Sequence, residues 1–198
     1  MRKKSPSLKI KSNVEKASSE LKRYGLPGKV RLWVFDEAGF GRISKPKQCW
    51  CPKGVRPVVK CQHVRQYRQC YGACEPLTGE DFFLIFEQCD GDSFEIYLEM
   101  LSDLYPDDYH VILCDGAGWH VSQDLSIPEN VELFHIPPGT PEMNPMEQIW
   151  REVRTQGFHN QFFPTLDLAI DRLCETIQNL TTHTIKSITG RDWLLNCF

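Results

Sequence analysis

Three acids stand where this 198-residue chain most readily builds chemistry: Asp36, Asp115 and Glu147. Asp36 closes the run Val30-Arg31-Leu32-Trp33-Val34-Phe35, and Asp115 closes Tyr109-His110-Val111-Ile112-Leu113-Cys114. Both runs have the apolar, β-branched and aromatic pattern of buried strands. Glu147 follows Asn144-Pro145-Met146, which reads as a helix start: Asn144 suits the N-cap, Pro145 the first helical position and Glu147 the third. In open α/β sheets, functional groups gather beyond the carboxyl ends of strands. Two carboxylates there, joined by a third from a helix, form a set of hard oxygen donors that Mg²⁺ and Mn²⁺ prefer. Two such ions, roughly 3.5–4 Å apart, can activate a water or a 3′-hydroxyl and stabilise the leaving oxygen of a phosphodiester. Spacing alone leaves a plainer alternative open. An acid after a strand often only forms a turn, and Glu147 can serve merely as the capping partner of Asn144.

Charge is distributed in zones. The net charge is −3. Residues 1–31 hold ten Lys/Arg against two Glu, whereas the remainder holds 13 Lys/Arg against 24 acids. Arg42, Lys45, Lys47, Lys53, Arg56, Lys60, Arg65 and Arg68 lie in a stretch without any acid, and from Gln69 to Trp150 there are 17 acids and no Lys or Arg. The basic stretch can contact DNA phosphate, or it can be a solvated hairpin face. The acidic zone repels phosphate unless cations bind there.

The elements that must position the acids follow from periodicity. Strands are expected at 30–36, 55–61, 65–74, 82–87, 109–114 and 131–136. A helix begins near Asp92, with Glu95 completing a capping box and Phe94, Leu98, Leu101 and Tyr105 at helical spacing. A short helix or loop covers 119–126, and an amphipathic helix covers 165–180. Strands first, then alternating helices and strands, give an α/β fold: a mixed central sheet flanked by helices. Residues 1–29 are read as a basic linker or the remnant of a DNA-binding region, and 30–198 as one domain. No run of 18 or more apolar residues exists to span a membrane, and the N-terminus lacks the apolar stretch of a signal peptide. Nine cysteines without a secretion signal suggest free thiols in a reducing compartment. Cys49, Cys51, Cys61, His63, Cys70 and Cys74 have poor spacing for zinc, so buried or incidental thiols are the simpler reading. His120 can orient phosphate or a ligand, or play a packing or hydrogen-bonding role. Trp119 and Trp150 read as core or site-wall residues. Glu37, Glu142 and Glu152 are further acids near the three.

The words around the acids are specific. Val34-Phe35-Asp36-Glu37-Ala38-Gly39-Phe40, Trp50-Cys51-Pro52-Lys53-Gly54-Val55-Arg56-Pro57, Leu113-Cys114-Asp115-Gly116-Ala117-Gly118-Trp119-His120 and Ile136-Pro137-Pro138-Gly139-Thr140-Pro141-Glu142-Met143-Asn144-Pro145-Met146-Glu147-Gln148-Ile149-Trp150 resemble the motifs of bacterial insertion-sequence transposases of the mariner superfamily (insertion sequence 630 type). The last stretch is the most specific, and the resemblance covers about residues 30–195. It implies an RNase H-like fold and a metal-bound triad of Asp36, Asp115 and Glu147 with two Mg²⁺ or Mn²⁺ ions. It also implies cleavage at transposon ends and joining of the freed 3′-hydroxyl to target DNA, usually at a TA step. A homodimer in the active complex, an intracellular place at the nucleoid of a prokaryotic host and a separate helix-turn-helix subunit are further expectations, the last because the family's N-terminal recognition domains are not seen here. Gly116 stands where the family commonly has Asn, and the gap between Asp115 and Glu147 is a few residues short. The competing readings are a non-catalytic DNA-binding or assembly remnant and another RNase H-like nuclease.

Overall fold

The apolar run ending at Asp36 does not stop there. In the computed structural model, which describes residues 11, 12, 14–16, 18, 19, 28–44, 46–122, 124–137, 140 and 143–196, it belongs to β1 (Val30–Gly41). The chain continues through β2 (Tyr67–Cys74), β3 (Asp81–Phe86), helix α1 (Gly91–Leu104), β4 (Tyr109–Cys114) and β5 (Val131–His135). It ends in α2 (Met146–Val153), α3 (Leu166–Gln178), α4 (Thr182–Thr189) and α5 (Asp192–Leu195). The linker assigned to residues 1–29 lies largely outside the described residues, as do Lys45, Pro138, Gly139, Pro141 and Glu142. Among the described residues no helix is long and apolar enough to cross a membrane.

The five strands form one mixed sheet in the order β3-β2-β1-β4-β5. β1 pairs antiparallel with β2 and parallel with β4, and β5 continues the parallel side. Alternation along β1 splits the core in two. Trp33 and Phe35 point to a layer closed by Phe94, Tyr97, Leu98 and Leu101 of α1. Leu32 and Val34 point to the opposite layer, closed by Met146, Ile149, Trp150 and Val153 of α2, Leu173 of α3 and Ile185 of α4. The mixed sheet with helices on both faces is the architecture the element order implied.

Two expectations are corrected. Residues 55–61 form no strand; Val55 and Val58 are exposed, and the β2 ladder begins only at Tyr67. Pro57 removes a ladder donor from this stretch, and no strand pairs with it among the described residues. Helix α1 is capped by Asp90, not Asp92: Asp90 has extended backbone and its carboxylate accepts from Ser93 N at 2.9 Å. Glu95, freed from a capping box, accepts from Ser126 N at 2.8 Å and ties down the loop before β5.

The start of β1 is held by a buried cation. Arg31, 4% exposed, pairs with Glu75 at 2.7 Å, with Asp108 at 2.6 Å and with Glu80, and its guanidinium lies 3.6 Å from the Tyr105 ring centroid. This one residue joins the ends of β1, β2, β3 and β4. Removing one partner of a buried ion pair strands the other charge. Arg31→Met is therefore expected to cost about 3–5 kcal/mol in urea unfolding, with part of the loss recovered when Glu75→Gln is added; no loss in the single variant would refute the role.

Candidate functional site

The site begins as a question of register. The last parallel pair between β1 and β4 is Val34 with Leu113. Two residues further on each strand come Asp36 and Asp115. Asp36, still within β1, takes by alternation the face of Val34, which α2 covers, whereas Asp115 lies one residue beyond β4 and outside the ladder. β4 stops at Cys114, whereas β1 runs on against β2 from Asp36↔Gly72 to Gly41↔Tyr67. Asp36 is thus mid-strand rather than a strand terminus, yet it still lies beyond the carboxyl end of the parallel ladder. Asp115 sits where expected, one residue after β4.

Helix α2 brings the third acid, and Asn144 fixes where that helix starts. The Asn144 side chain, in a residue 6% exposed, accepts from Met146 N at 3.1 Å and donates to Phe35 O at 2.8 Å. The helix starts at Met146 with Pro145, not Asn144, at its N-cap, and the Asn144 amide instead ties that first turn to the peptide just before Asp36. Glu147 lies exposed in the first turn, as its spacing implied. Trp150, one turn later and buried, donates its indole N–H to Asp36 Oδ2 at 3.0 Å. That reach depends on Gly72, opposite Asp36: a Cβ there would stand 2.4 Å from the Phe83 ring and 2.7 Å from the Trp150 ring. Sequence identified the wall and placed the helix start one residue early, but not these tertiary bonds, which no local pattern encodes.

Negative charge converges on Asp36. Burial, then Glu37 and Glu147, push its pKa up to about 7, against the opposing pull of the Glu37 amide and the Trp150 indole. Glu37 points to the other face, where its carboxylate, 8% exposed, accepts from Trp119 Nε1 at 3.0 Å and meets His120 Nε2 at 2.7 Å. The other ring nitrogen of His120 meets Asp115 Oδ1 at 2.9 Å. Burial disfavours a charged imidazole here, but Glu37 and Asp115 outweigh it and raise the His120 pKa. Asp115 Oδ1 also accepts from Ala117 N at 3.0 Å, while its side chain remains 59% exposed. Glu37 and Glu147 both repel the Asp36 carboxylate, a hard oxygen donor of the kind a divalent cation favours. Among the described residues no group of three or more His, Cys, Asp or Glu already stands at joint metal-ligating spacing.

The basic residues scatter more than the sequence suggested. Arg42 is committed inward, with Nε on Phe163 O at 3.1 Å and Nη1 on Gln66, and Arg68 pairs with Glu87 at 2.9 Å. Lys47, Lys53, Arg56, Lys60 and Arg65 ride on the irregular segment between β1 and β2, where Trp50 is also exposed. Cys49, Cys51 and Cys61 are exposed on that segment while Cys70 and Cys74 are buried in β2, so these thiols do not meet in one site. Glu152 lies on α2, where its carboxylate accepts from Gln156 at 2.7 Å. A cation not singled out from sequence is Arg154, where α2 passes into the π-helical turn Arg154–Phe158. Its guanidinium lies 4.9 Å from the Phe40 ring centroid, within the field of Glu147 and Asp36, and has no ion-pair partner among the described residues. Its signal was the seven-residue spacing from Glu147, two turns along one helix face.

Two outcomes are expected. If Asn144 were only a cap, Asp would serve as well as Asn. Because Asn144 also donates to Phe35 O, Asn144→Asp is expected to destabilise by about 1–3 kcal/mol in thermal unfolding; an unchanged melting temperature would contradict the bridge. Asp36 holds its proton in the folded state up to about pH 7, above its ordinary 3.8, so its contribution to stability is complete below that lower value and lost as pH rises through about 7. In chelator, Asp36→Asn is therefore expected to melt higher than the wild type at pH 8, with the gap closing by pH 5; a gap that widens on acidification would oppose this.

The comparisons agree with the fold. The uncharacterized protein y4pE/y4sA of Sinorhizobium fredii (strain NBRC 101917 / NGR234) is 32% identical over 126 residues, which cover 62% of this chain and 93% of that protein. The catalytic domain of Mos1 mariner transposase has a similar fold, with a TM-score of 0.59 at 13% identity over 100% of this chain and 94% of that one. The Mos1 paired-end complex with the left transposon end gives a TM-score of 0.63 at 14% identity, covering 100% of this chain and 64% of that one. The Mos1 paired-end complex with Mn gives 0.64 at 14%, covering 100% and 61%. The chain thus spans less than two thirds of the transposase chains in those complexes, and its fold is the RNase H-like one of their catalytic domain. A family model described as "DDE superfamily endonuclease" matches residues 31–169, a span that includes Asp36, Asp115 and Glu147, and the chain belongs to that family.

Proposed function

We propose that the chain is the catalytic domain of a mariner-superfamily DNA transposase, which cleaves at transposon ends and joins the freed 3′-hydroxyl to target DNA, usually at a TA step. Asp36, Asp115 and Glu147 hold two divalent ions, Mg²⁺ or Mn²⁺, in this reading. The observation that supports it is the β1–β4 register, which runs to Val34 and Leu113 and so leaves Asp36 and Asp115 each two residues beyond its last pair, with Glu147 in the first turn of α2. When bound, the ions supply Lewis acidity to the scissile phosphate and a nucleophile at neutral pH. The protein's own groups do the positioning. Trp150 holds one oxygen of Asp36, His120 holds one oxygen of Asp115, and Glu147 extends from a helix turn fixed by Asn144. Lys47, Lys53, Arg56, Lys60 and Arg65 offer phosphate contacts on the irregular segment, and Arg154 offers a guanidinium within the field of Glu147 and Asp36. DNA, in the form of transposon ends and target, is the partner, with two copies of the chain holding two ends and a helix-turn-helix subunit supplying end recognition. The Mos1 complexes, described with a transposon end and with Mn, support the same assignment here.

The test is cleavage of a plasmid carrying the element's terminal repeats, in Mn²⁺, Mg²⁺ or chelator. Strand cleavage at the repeat ends is expected only with metal, and Asp36→Asn, Asp115→Asn and Glu147→Gln are each expected to lower it by at least about 100-fold. Metal-independent cleavage, or variants as active as the wild type, would defeat the assignment.

A further inference from the structure

Glu37 follows the first acid of the triad in sequence, yet the fold turns its carboxylate to the opposite face of β1 and buries it. A buried carboxylate is costly unless compensated. Its compensation is the pair Trp119 Nε1 at 3.0 Å and His120 Nε2 at 2.7 Å, both from the turn that follows Asp115. His120 is 2% exposed and wedged between rings, with centroids 4.5 Å from Phe94 and 5.6 Å from Phe35. The imidazole cannot swing without opening the α1 layer. Its second nitrogen reaches Asp115 Oδ1 at 2.9 Å and Asp115 O at 3.2 Å.

We infer that Glu37 and His120 are a positioning pair that fixes the Asp115 carboxylate for a divalent cation. The chain runs from Glu37 on β1, through an imidazole locked in the α1 layer, to one oxygen of Asp115. Asp115 is otherwise exposed and follows the end of β4, in the glycine-rich turn Asp115-Gly116-Ala117-Gly118, which itself offers the carboxylate the amide of Ala117. With Oδ1 engaged by His120 and Ala117 N, the carboxylate plane is set and Oδ2 is left for the ion. Glu37 thereby couples β1 to the turn after β4 by side chains, at the level where the β1–β4 hydrogen-bond ladder has ended. Partners behind a metal ligand of this kind are worth about 10–100-fold in metal affinity.

This rests on the metal reading proposed above, and the experiment separates the two. Mn²⁺ binding to the folded protein is measured by the electron paramagnetic resonance signal of free Mn²⁺, for wild type, Glu37→Gln, Trp119→Phe and Asp115→Asn, with melting temperature in chelator as the folding control. Glu37→Gln is expected to need about tenfold more Mn²⁺ for half-saturation. Trp119→Phe, which removes only one of the bonds to Glu37, is expected to shift affinity in the same direction by less, and it carries the test if Glu37→Gln does not fold. Added to Asp115→Asn, Glu37→Gln is expected to have no further effect, because it acts through that carboxylate. Unchanged Mn²⁺ affinity in folded Glu37→Gln and Trp119→Phe overturns the positioning pair while leaving the metal site standing, as does a full effect that persists in the Asp115→Asn background. A wild type that binds no Mn²⁺ overturns both.

Discussion

The parallel register of β1 against β4 is the constraint from which the rest of the site follows. A one-residue slip would turn either Asp36 or Asp115 to the opposite face of the sheet. What prevents the slip is the core itself: Leu32, Val34, Val111 and Leu113 fill one layer, Trp33, Phe35 and Ile112 the other, and all are fully buried. Packing that has nothing to do with chemistry therefore fixes where β1 carries Asp36 and where β4 delivers the chain to Asp115. The third acid is placed more delicately, by the single amide of Asn144 reaching the peptide of Phe35.

The two ends of β1 treat charge in opposite ways. At its start, Arg31 gathers Glu75, Glu80 and Asp108 into a buried, compensated cluster. Toward its other end, burial and the charges of Glu37 and Glu147 weigh on Asp36, with only an indole and an amide to offset them. Such uncompensated charge costs folding energy and persists where a ligand repays it. The compensated end supplies the rigidity on which the strained end relies.

Much of this was legible in the residues. The strands at 30–36 and 109–114 and a helix starting just before Glu147 rest on local patterns, and the structure forms each of these elements. What the sequence did not disclose is what local patterns cannot hold. The extension of β1 past Asp36 depends on pairing with β2, which lies far along the chain. The exposed course of residues 55–61 reflects both Pro57 and the lack of a partner strand among the described residues, and the second cannot be read from a local pattern. Arg42 and Arg68 looked like free cations because their partners, Phe163 and Glu87, are distant in sequence. Glu37 was visible as one more acid, but only three-dimensional contact shows it bonded to Trp119 and His120.

Two of the five tryptophans donate their indole N–H groups to carboxylates of this cluster, Trp150 to Asp36 and Trp119 to Glu37. Trp33 is committed elsewhere, to His110 at 3.0 Å, and Trp50 stands fully in solvent. Indole emission responds to the local electric field, and the field at Trp119 and Trp150 is dominated by those acids. A cation arriving among the carboxylates changes that field at two rings at once, on opposite faces of the sheet. The chain thus carries a built-in optical reporter on the charge state of its own site, with no label attached.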